Sequence, residues 1–339
     1  MDSITQAALG AAIGGAHLGP RLGRGALALG AAVATVPDLD VLFIPLLDPL
    51  TQLTAHRTYT HNVFFLLGAG LLLAALLHAW RRDIGYRAWL AFCLLCLGTA
   101  VALDCFTAYG VRLLYPFSDV SVAIGSISVV DPLYTLPLLV AVGAALARPW
   151  RPRARRWLGA ALLVSSAYLA LGLGLKIHAH GVFARQLAAE GVAYQRLFTK
   201  ATFFNIVLWR GVAETADGYR VAFYSLFDDG AQVVFRDYPK GHELLGELRE
   251  APVLRQLSRA TDGYYQVLRD ERGLQVRDMR YGSGTDWLPP AQDRPFVFTY
   301  RLRRQGQDWY ADMLETVREP GQEWQSVRRL LARMAGEGG

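Results

Sequence analysis

Apolar residues run almost without interruption for the thickness of a membrane at three places, residues 62–80, 88–106 and 157–175. A helix crosses the hydrocarbon layer with roughly 20 such residues, so each run predicts a spanning helix. Residues 129–147 predict a fourth, despite Asp131 near the start and Pro137 inside. The first fifty residues are less regular. Residues 4–18 are short and rich in Ala and Gly, and 26–36 end at Pro37-Asp38-Leu39-Asp40, after which 41–47 are apolar again. Small residues let backbones approach closely, so two short helices in tight contact are expected. The break at Pro37 exposes backbone groups that membrane depth tolerates only beside protein or water.

After Lys176 the pattern changes. Residues 178–190 predict a connecting amphipathic helix. Alternation at 202–212, 219–225, 232–237, 263–268, 274–279 and 296–302 predicts strands. Leu244, Leu245, Leu248, Leu254 and Leu257 predict a helix over 243–259, and 324–335 predict a last one. Asp217-Gly218, Asp229-Gly230 and Asp262-Gly263 suit hairpin turns. The expected fold is therefore an α-helical polytopic membrane domain (1–176) followed by a soluble α/β (α+β) domain (177–339).

Charge sharpens this division. Residues 1–176 hold 13 Lys/Arg, 8 Asp and no Glu, whereas the remainder holds 22 Lys/Arg against 21 Asp/Glu. A soluble surface carries roughly a quarter to a third charged residues, so the first half is no soluble domain, and its hydrophobicity excludes disorder. The pI of 9.3 is no nucleic-acid signal, because the arginines sit at the ends of apolar runs. No basic region precedes the first apolar stretch, so a cleavable signal peptide is not expected. Cys93, Cys96 and Cys105 make no disulfide framework. The Cys93–Cys96 pair lies inside an apolar run and is expected to pack rather than react.

Ten of the 13 basic residues of the first half are Arg21, Arg24, Arg81, Arg82, Arg87, Arg148, Arg151, Arg153, Arg155 and Arg156, in three loops. If the helices alternate in direction, these loops share one side, which the positive-inside rule makes cytoplasmic. Asp38, Asp40, His56, His61, Asp104 and Asp131 then gather at the outer face, and the soluble domain lies outside as well.

Ionisable residues at membrane depth default to a functional reading. Asp104, at a helix end, either belongs to a site or solvates itself at the interface near Arg112. Asp38 and Asp40 are two apart after a proline. In an extended or turn segment one can bind a metal while the other supports a ligand, although Asp38 could equally cap a helix. His56 and His61 would lie about 140° apart on a continuous helix. His56 is therefore expected on the loop, and His61 in the first turn after a Thr60 cap, where both can converge on one ion with Arg57 beside it for an anionic group. His17 and His78 read as interfacial, and His178 and His180 as structural. Gly282-Ser283-Gly284 is a turn, not a nucleophile elbow.

Taken together, Met1-Asp2-Ser3-Ile4-Thr5-Gln6-Ala7-Ala8-Leu9-Gly10, Pro37-Asp38-Leu39-Asp40, His56-Arg57 through His61, Leu103-Asp104-Cys105-Phe106-Thr107 with Tyr109-Gly110, and Gly125-Ser126-Ile127 through Asp131-Pro132-Leu133-Tyr134 resemble the membrane-bound metal-dependent hydrolases, the YdjM-like, LexA-regulated inner-membrane family. The resemblance covers residues 1–176. The tail, with Thr202, Phe204-Asn205 and Leu208-Trp209-Arg210, resembles the extension of longer bacterial members. The resemblance implies a polytopic inner-membrane hydrolase and, by position, motif residues at Asp38, Asp40, His56, His61, Asp104 and Asp131. The chain departs from the family pattern at Gln6 and Ala100, where many members carry His.

The expected function is a hydrolase using one or more divalent metals at the outer membrane face. Zn²⁺ or Mn²⁺ suits the mixed His/Asp set. Asp38, His56, His61, Asp104 and Asp131 are the expected ligands, Asp40 a ligand or general base, and Arg57 the holder of an anionic oxygen. The substrate expected of a membrane-level site is a lipid or lipid-linked phosphoester. The alternative is a non-catalytic scaffold whose outer domain binds an envelope partner. A transporter ranks below both, because no inverted repeat of broken helices is evident.

Overall fold

The computed structural model describes residues 1–147, 152–229, 233–283, 296–306, 308–314 and 322–337. Arg148, Arg151, Gly230, Gln232 and Gly284, which figure in the expectations above, lie outside these residues. The described chain forms two compact units. The first comprises residues 1–46, 55–174 and 203–205, and the second 47–54, 175–202 and 206–339.

The first unit is helical. Helices α1 (Ser3–Leu22) and α2 (Gly25–Ala34) pack against each other and against α5 (Tyr86–Cys105), which pairs with α4 (Val63–Trp80). Helix α6 (Pro132–Ala147) packs on α1. A Cβ added to Gly10 of α1 would collide with the carbonyl oxygen of Gly30 on α2, and one on Gly14 with that of Ala26. Only glycine permits this approach, which is the physical content of the Ala/Gly pattern. Met1, Leu9, Leu27, Trp89, Phe92, Cys93, Cys96 and Leu138 share one buried core, so the Cys93–Cys96 pair packs as expected, both thiols free.

Among the described residues, three helices are long and apolar enough to cross a membrane: Val63–Trp80, Tyr86–Cys105 and Arg153–Ala189. The pair Gly25–Ala34 and Pro37–Leu46, bent by 56°, would make a fourth, broken span. Helix α6 begins only at Pro132 and has 16 residues. Past Pro37 the chain runs in two 3₁₀ turns, Pro37–Leu42 and Ile44–Leu46. Helix α7 (Pro152–Ala189) is continuous. The last span and the expected connecting helix are therefore one element, since Lys176 and His178 interrupt the apolar pattern without breaking the backbone.

The second unit is α+β. Strands β1 (Arg196–Ala201), β2 (Leu208–Glu214), β3 (Gly218–Ser225) and β4 (Arg236–Pro239) form one antiparallel sheet in sequential order. Strands β5 (Tyr265–Asp270), β6 (Gly273–Asp278), β7 (Thr299–Gln305) and β8 (Asp308–Met313) form another. The turn at Asp217-Gly218 joins β2 to β3 as expected. Asp262-Gly263 instead follows a helix, and the β5–β6 hairpin turns at Glu271-Arg272. The helix expected over 243–259 is divided by Pro252 into a 3₁₀ segment, His242–Glu250, and α8 (Pro252–Ala260), because Pro favours the first turn of a helix and not its interior. Helix α9 (Gln322–Met334) closes the chain.

The short helix α3 (Pro49–Ala55) gave no signal as a separate element. Its Leu50 and Leu53 pack against the core formed by Leu245, Leu254, Leu257, Val267, Val276 and Tyr300. The Thr54 hydroxyl donates to Gln256 Oε1 at 3.3 Å. A segment from the early sequence thus completes the core of the second unit.

Candidate metal centre

Three sequence-distant segments of the first unit meet at one point. Asp38 and Asp40 lie in the 3₁₀ turn after Pro37. With 3.0 residues per turn, positions two apart point about 240° from each other, so the two carboxylates serve different neighbours. Asp104 sits one residue before the end of α5. The chain beyond α5 folds back to satisfy the helix's last carbonyls. Ile124 N–H donates to Cys105 O at 2.8 Å, and Ser126 N–H to Phe106 O at 2.9 Å. His61 directly precedes Asn62, which caps α4 by accepting from Phe65 N–H at 2.9 Å. The cap is therefore Asn62 rather than Thr60, and His61 stands outside the helix. The reason is visible in the hydrogen bonds, since the Thr60 hydroxyl is engaged elsewhere.

His61 Nε2 lies 3.3 Å from Asp38 Oδ1 and 3.3 Å from Asp104 Oδ2. One donor atom from each of these residues falls within 4.8 Å of the others. His61 and Asp104 are wholly buried. Neither His61 Nε2 nor Asp38 Oδ1 makes a hydrogen bond of good geometry despite burial, and the two face each other at ion-pair distance, an arrangement that a cation between them would satisfy. The donor chemistry, two carboxylates and an imidazole, fits a divalent cation.

The outer partners fix the imidazole. The Thr60 hydroxyl donates to Asp40 Oδ2 at 2.8 Å. Its single hydrogen is thereby used, so at 2.9 Å from His61 Nδ1 it accepts the Nδ1–H. The Nε2 lone pair is thus left to face the two carboxylates, the carboxylate-to-histidine relay that orients ligating imidazoles. Burial disfavours the His61 imidazolium, but the carboxylates of Asp104 and Asp38 outweigh it and raise its affinity for a proton. A proton and a metal thus compete for one place.

Asp40 is mainly a support. Its Oδ1 accepts from His56 Nδ1 at 3.0 Å, and its Oδ2 from Arg57 N–H at 3.3 Å as well as from Thr60. His56 stands edge-on to His61, ring centroids 5.7 Å apart, and edge-on to Tyr109. Its side chain is a quarter exposed. The structure thus brings His56 beside the three-residue group without making it a member. Arg57 has φ of 62°, a left-handed conformation uncommon outside glycine. From there its guanidinium reaches Asp104 Oδ1 at 3.2 Å and donates to Thr107 Oγ1 at 3.3 Å, and it lies 4.7 Å from the Tyr109 ring centre. It is buried and turned onto Asp104, not outward. The Met1 ammonium also contacts Asp104 Oδ1, so both cations crowd one oxygen and leave Oδ2 to His61 and the Gln6 amide.

Asp131 is placed differently. It caps α6, accepting from Leu133 N–H at 3.1 Å and Tyr134 N–H at 3.3 Å, and takes the Tyr168 hydroxyl of α7 at 3.0 Å from each oxygen. It is not one of the three grouped donors, and its Oδ1 is taken by two backbone N–H groups. His178 and His180 bond Tyr224 and Thr199 in the second unit, and His78 bonds the Ile84 carbonyl near the far end of α4. Sequence reasoning did not give Thr60, Thr107 or Tyr109 a role at the site.

Comparison with known proteins agrees with the helical half. A curated relative, the uncharacterized protein YfhP of Bacillus subtilis (strain 168), is 30% identical over 149 residues, 42% of this chain and 45% of that protein. The chain thus matches under half the length of this relative. No solved structure matches significantly. The family model described as YdjM inner membrane protein matches residues 1–179, more than half of the chain and all of the candidate site, and the chain belongs to that family.

Proposed function

We propose that the chain is a metal-dependent hydrolase acting at the extracytoplasmic membrane face on a lipid or lipid-linked phosphoester. The observation that carries this reading is the buried meeting of Asp38 Oδ1, His61 Nε2 and Asp104 Oδ2, the first two without a hydrogen bond. A Zn²⁺ or Mn²⁺ ion held by these residues would polarise the scissile bond and make water nucleophilic at neutral pH. The chain supplies the rest. Asp40 holds His56 through Nδ1, the orientation by which a carboxylate prepares an imidazole to take a proton through Nε2. Arg57 fixes Asp104 by its Oδ1 and adds positive charge beside the site, where a phosphoester oxygen would come to rest.

The membrane level of the site supports the substrate class. Phe117, 81% exposed, sets its ring 5.2 Å from Phe64 in the first turn of α4. Leu42, Phe43, Leu46, Leu114 and Val120 are also exposed, on the two segments that flank the site in sequence. A collar of aromatic and aliphatic side chains at a helix end is suited to the interfacial layer of a bilayer. The side of the membrane is inferred from the same helices. His61 precedes α4 and Asp104 ends α5, whereas Arg81, Arg82 and Arg87 join the opposite ends of the pair. If arginine loops are cytoplasmic, the site is outside. Cysteines introduced at Asp119 and Asp229 should then react with an impermeant reagent on intact cells, and one at Arg153 only after lysis. The reverse pattern would put the site in the cytoplasm.

The activity is tested with purified protein in mixed micelles, using phosphomonoester and phosphodiester lipids with Mn²⁺ or Zn²⁺. Release of phosphate or headgroup that stops with chelator is expected. His56→Gln should lower kcat by about 10²–10⁴ as a general base does, with metal content unchanged. No hydrolysis in any metal-loaded sample would refute the reading.

A further inference from the structure

Gln6 lies in the first turn of α1, three residues from its start, and is completely buried. Its Nε2 donates to Asp104 Oδ2 at 3.1 Å. This is the same carboxylate oxygen that stands 3.3 Å from His61 Nε2. The other end of the amide, Oε1, is buried and has no hydrogen-bond partner. A glutamine amide offers two donors and a carbonyl oxygen with two lone pairs. Burying that oxygen unsatisfied among apolar helices is unfavourable, and Leu or Met would fill the same volume without it. Gln6 Oε1, Asp38 Oδ1 and His61 Nε2 thus all lack a hydrogen bond, on three side chains that gather at Asp104.

We propose that Gln6 Oε1 is a fourth metal ligand, which gives the site three oxygen donors and one nitrogen. This rests on the metal-centre reading above and extends it to the kind of ion bound. Zn²⁺ ordinarily outcompetes Mn²⁺ at mixed nitrogen and oxygen sites, and imidazole ligands favour it, whereas carboxylate and carbonyl oxygens suit Mn²⁺. A single imidazole among three oxygens therefore narrows the advantage of Zn²⁺. Helix α1 acquires a function in this arrangement. The glycine contacts between α1 and α2 set the depth at which Gln6 meets Asp104, and α2 leads directly into Asp38.

The test uses the full-length protein in detergent, stripped with chelator and titrated with Mn²⁺ alone, Zn²⁺ alone, and the two in competition. Gln6→Leu is expected to weaken Mn²⁺ binding by about 10–100-fold, the loss typical when a metal site forfeits one supporting group. Gln6→His should raise the Zn²⁺-to-Mn²⁺ affinity ratio by about tenfold, because a nitrogen replaces an oxygen. Pulsed EPR of its Mn²⁺ form should detect one more coordinated nitrogen than the wild type. Gln6→Glu, which keeps an oxygen donor, should still bind and guards against a folding defect in the other two variants. Wild-type affinity in Gln6→Leu, or no added nitrogen in Gln6→His, would overturn the assignment of Gln6 and leave the three-ligand site standing. A wild type that binds neither ion would overturn the metal centre itself.

Discussion

Asp104→Ala is expected to do two separable things: remove metal binding and destabilise the helical unit. The carboxylate is wholly buried and carries Arg57 and the Met1 ammonium on one oxygen, with Gln6 and His61 at the other. Deleting it leaves the Arg57 guanidinium buried with the Thr107 hydroxyl as its remaining hydrogen-bonding contact on that side. Removing one partner of a buried ion pair costs about 3–5 kcal/mol, because the other charge stays desolvated. Thermal unfolding in detergent should therefore shift well below wild type. Asp104→Asn keeps the shape and one acceptor oxygen, so its stability should fall less, while its metal content should fall as far. If Asp104→Ala melted like wild type, Arg57 would not depend on this carboxylate.

His61→Ala separates the two effects from the other direction. The substitution leaves Val63–Trp80 untouched and retains the Asn62 cap, so insertion and helix pairing should persist. Metal affinity should fall by more than the roughly 10–100-fold that loss of an outer partner costs. Thr60→Val, which removes the hydroxyl that fixes the His61 tautomer, should stay within that smaller range. The order His61→Ala, Thr60→Val, wild type is the signature of a ligand and its support. Equal losses in the two variants would mean that both act through loop structure. Isothermal titration of chelator-treated protein with Mn²⁺ or Zn²⁺ reads this order.

Much of this arrangement is legible in the sequence because membrane depth makes polar residues expensive. Asp38, His61 and Asp104 stand out against apolar surroundings, and alternation of the spans brings them to one face. The separate duties of Asp38 and Asp40 were foreseeable from their spacing, since adjacent turn positions diverge. Which of them faces the metal was not, because that depends on a 3₁₀ turn set by Pro37 and by packing. Gln6 stands out in the sequence only as a departure from the family pattern, and Thr60 only as a possible cap, so their contacts with Asp104, Asp40 and His61 appear only once hydrogen-bond partners are known. Asp131 looked like its neighbours in sequence, but a tyrosine from α7 takes its oxygens, a contact across 37 residues that no local pattern encodes.

In the second unit the same contrast holds. Alternation revealed β3 and turn chemistry revealed the β2–β3 hairpin, because each is a local effect. Strands β1 and β8 were missed: β1 carries Lys200 and Thr199 at buried positions, and β8 has no fully buried residue. Helix α3 is seven residues long, too short for periodicity to register, and its identity rests on Leu50 and Leu53 filling a core contributed by residues two hundred positions later.

Asp38, His61 and Asp104 are proposed to bind one divalent cation between them. The most direct measurement is metal per protein, by elemental analysis, in wild type, His61→Ala and His78→Ala purified in parallel and equilibrated with equal Mn²⁺ or Zn²⁺. His78 is the control, since it bonds a backbone carbonyl near the opposite end of α4. The expected result is one ion per chain in wild type and His78→Ala and a near-empty His61→Ala. A wild type without metal, or a His61→Ala protein that keeps its full complement, would contradict the account.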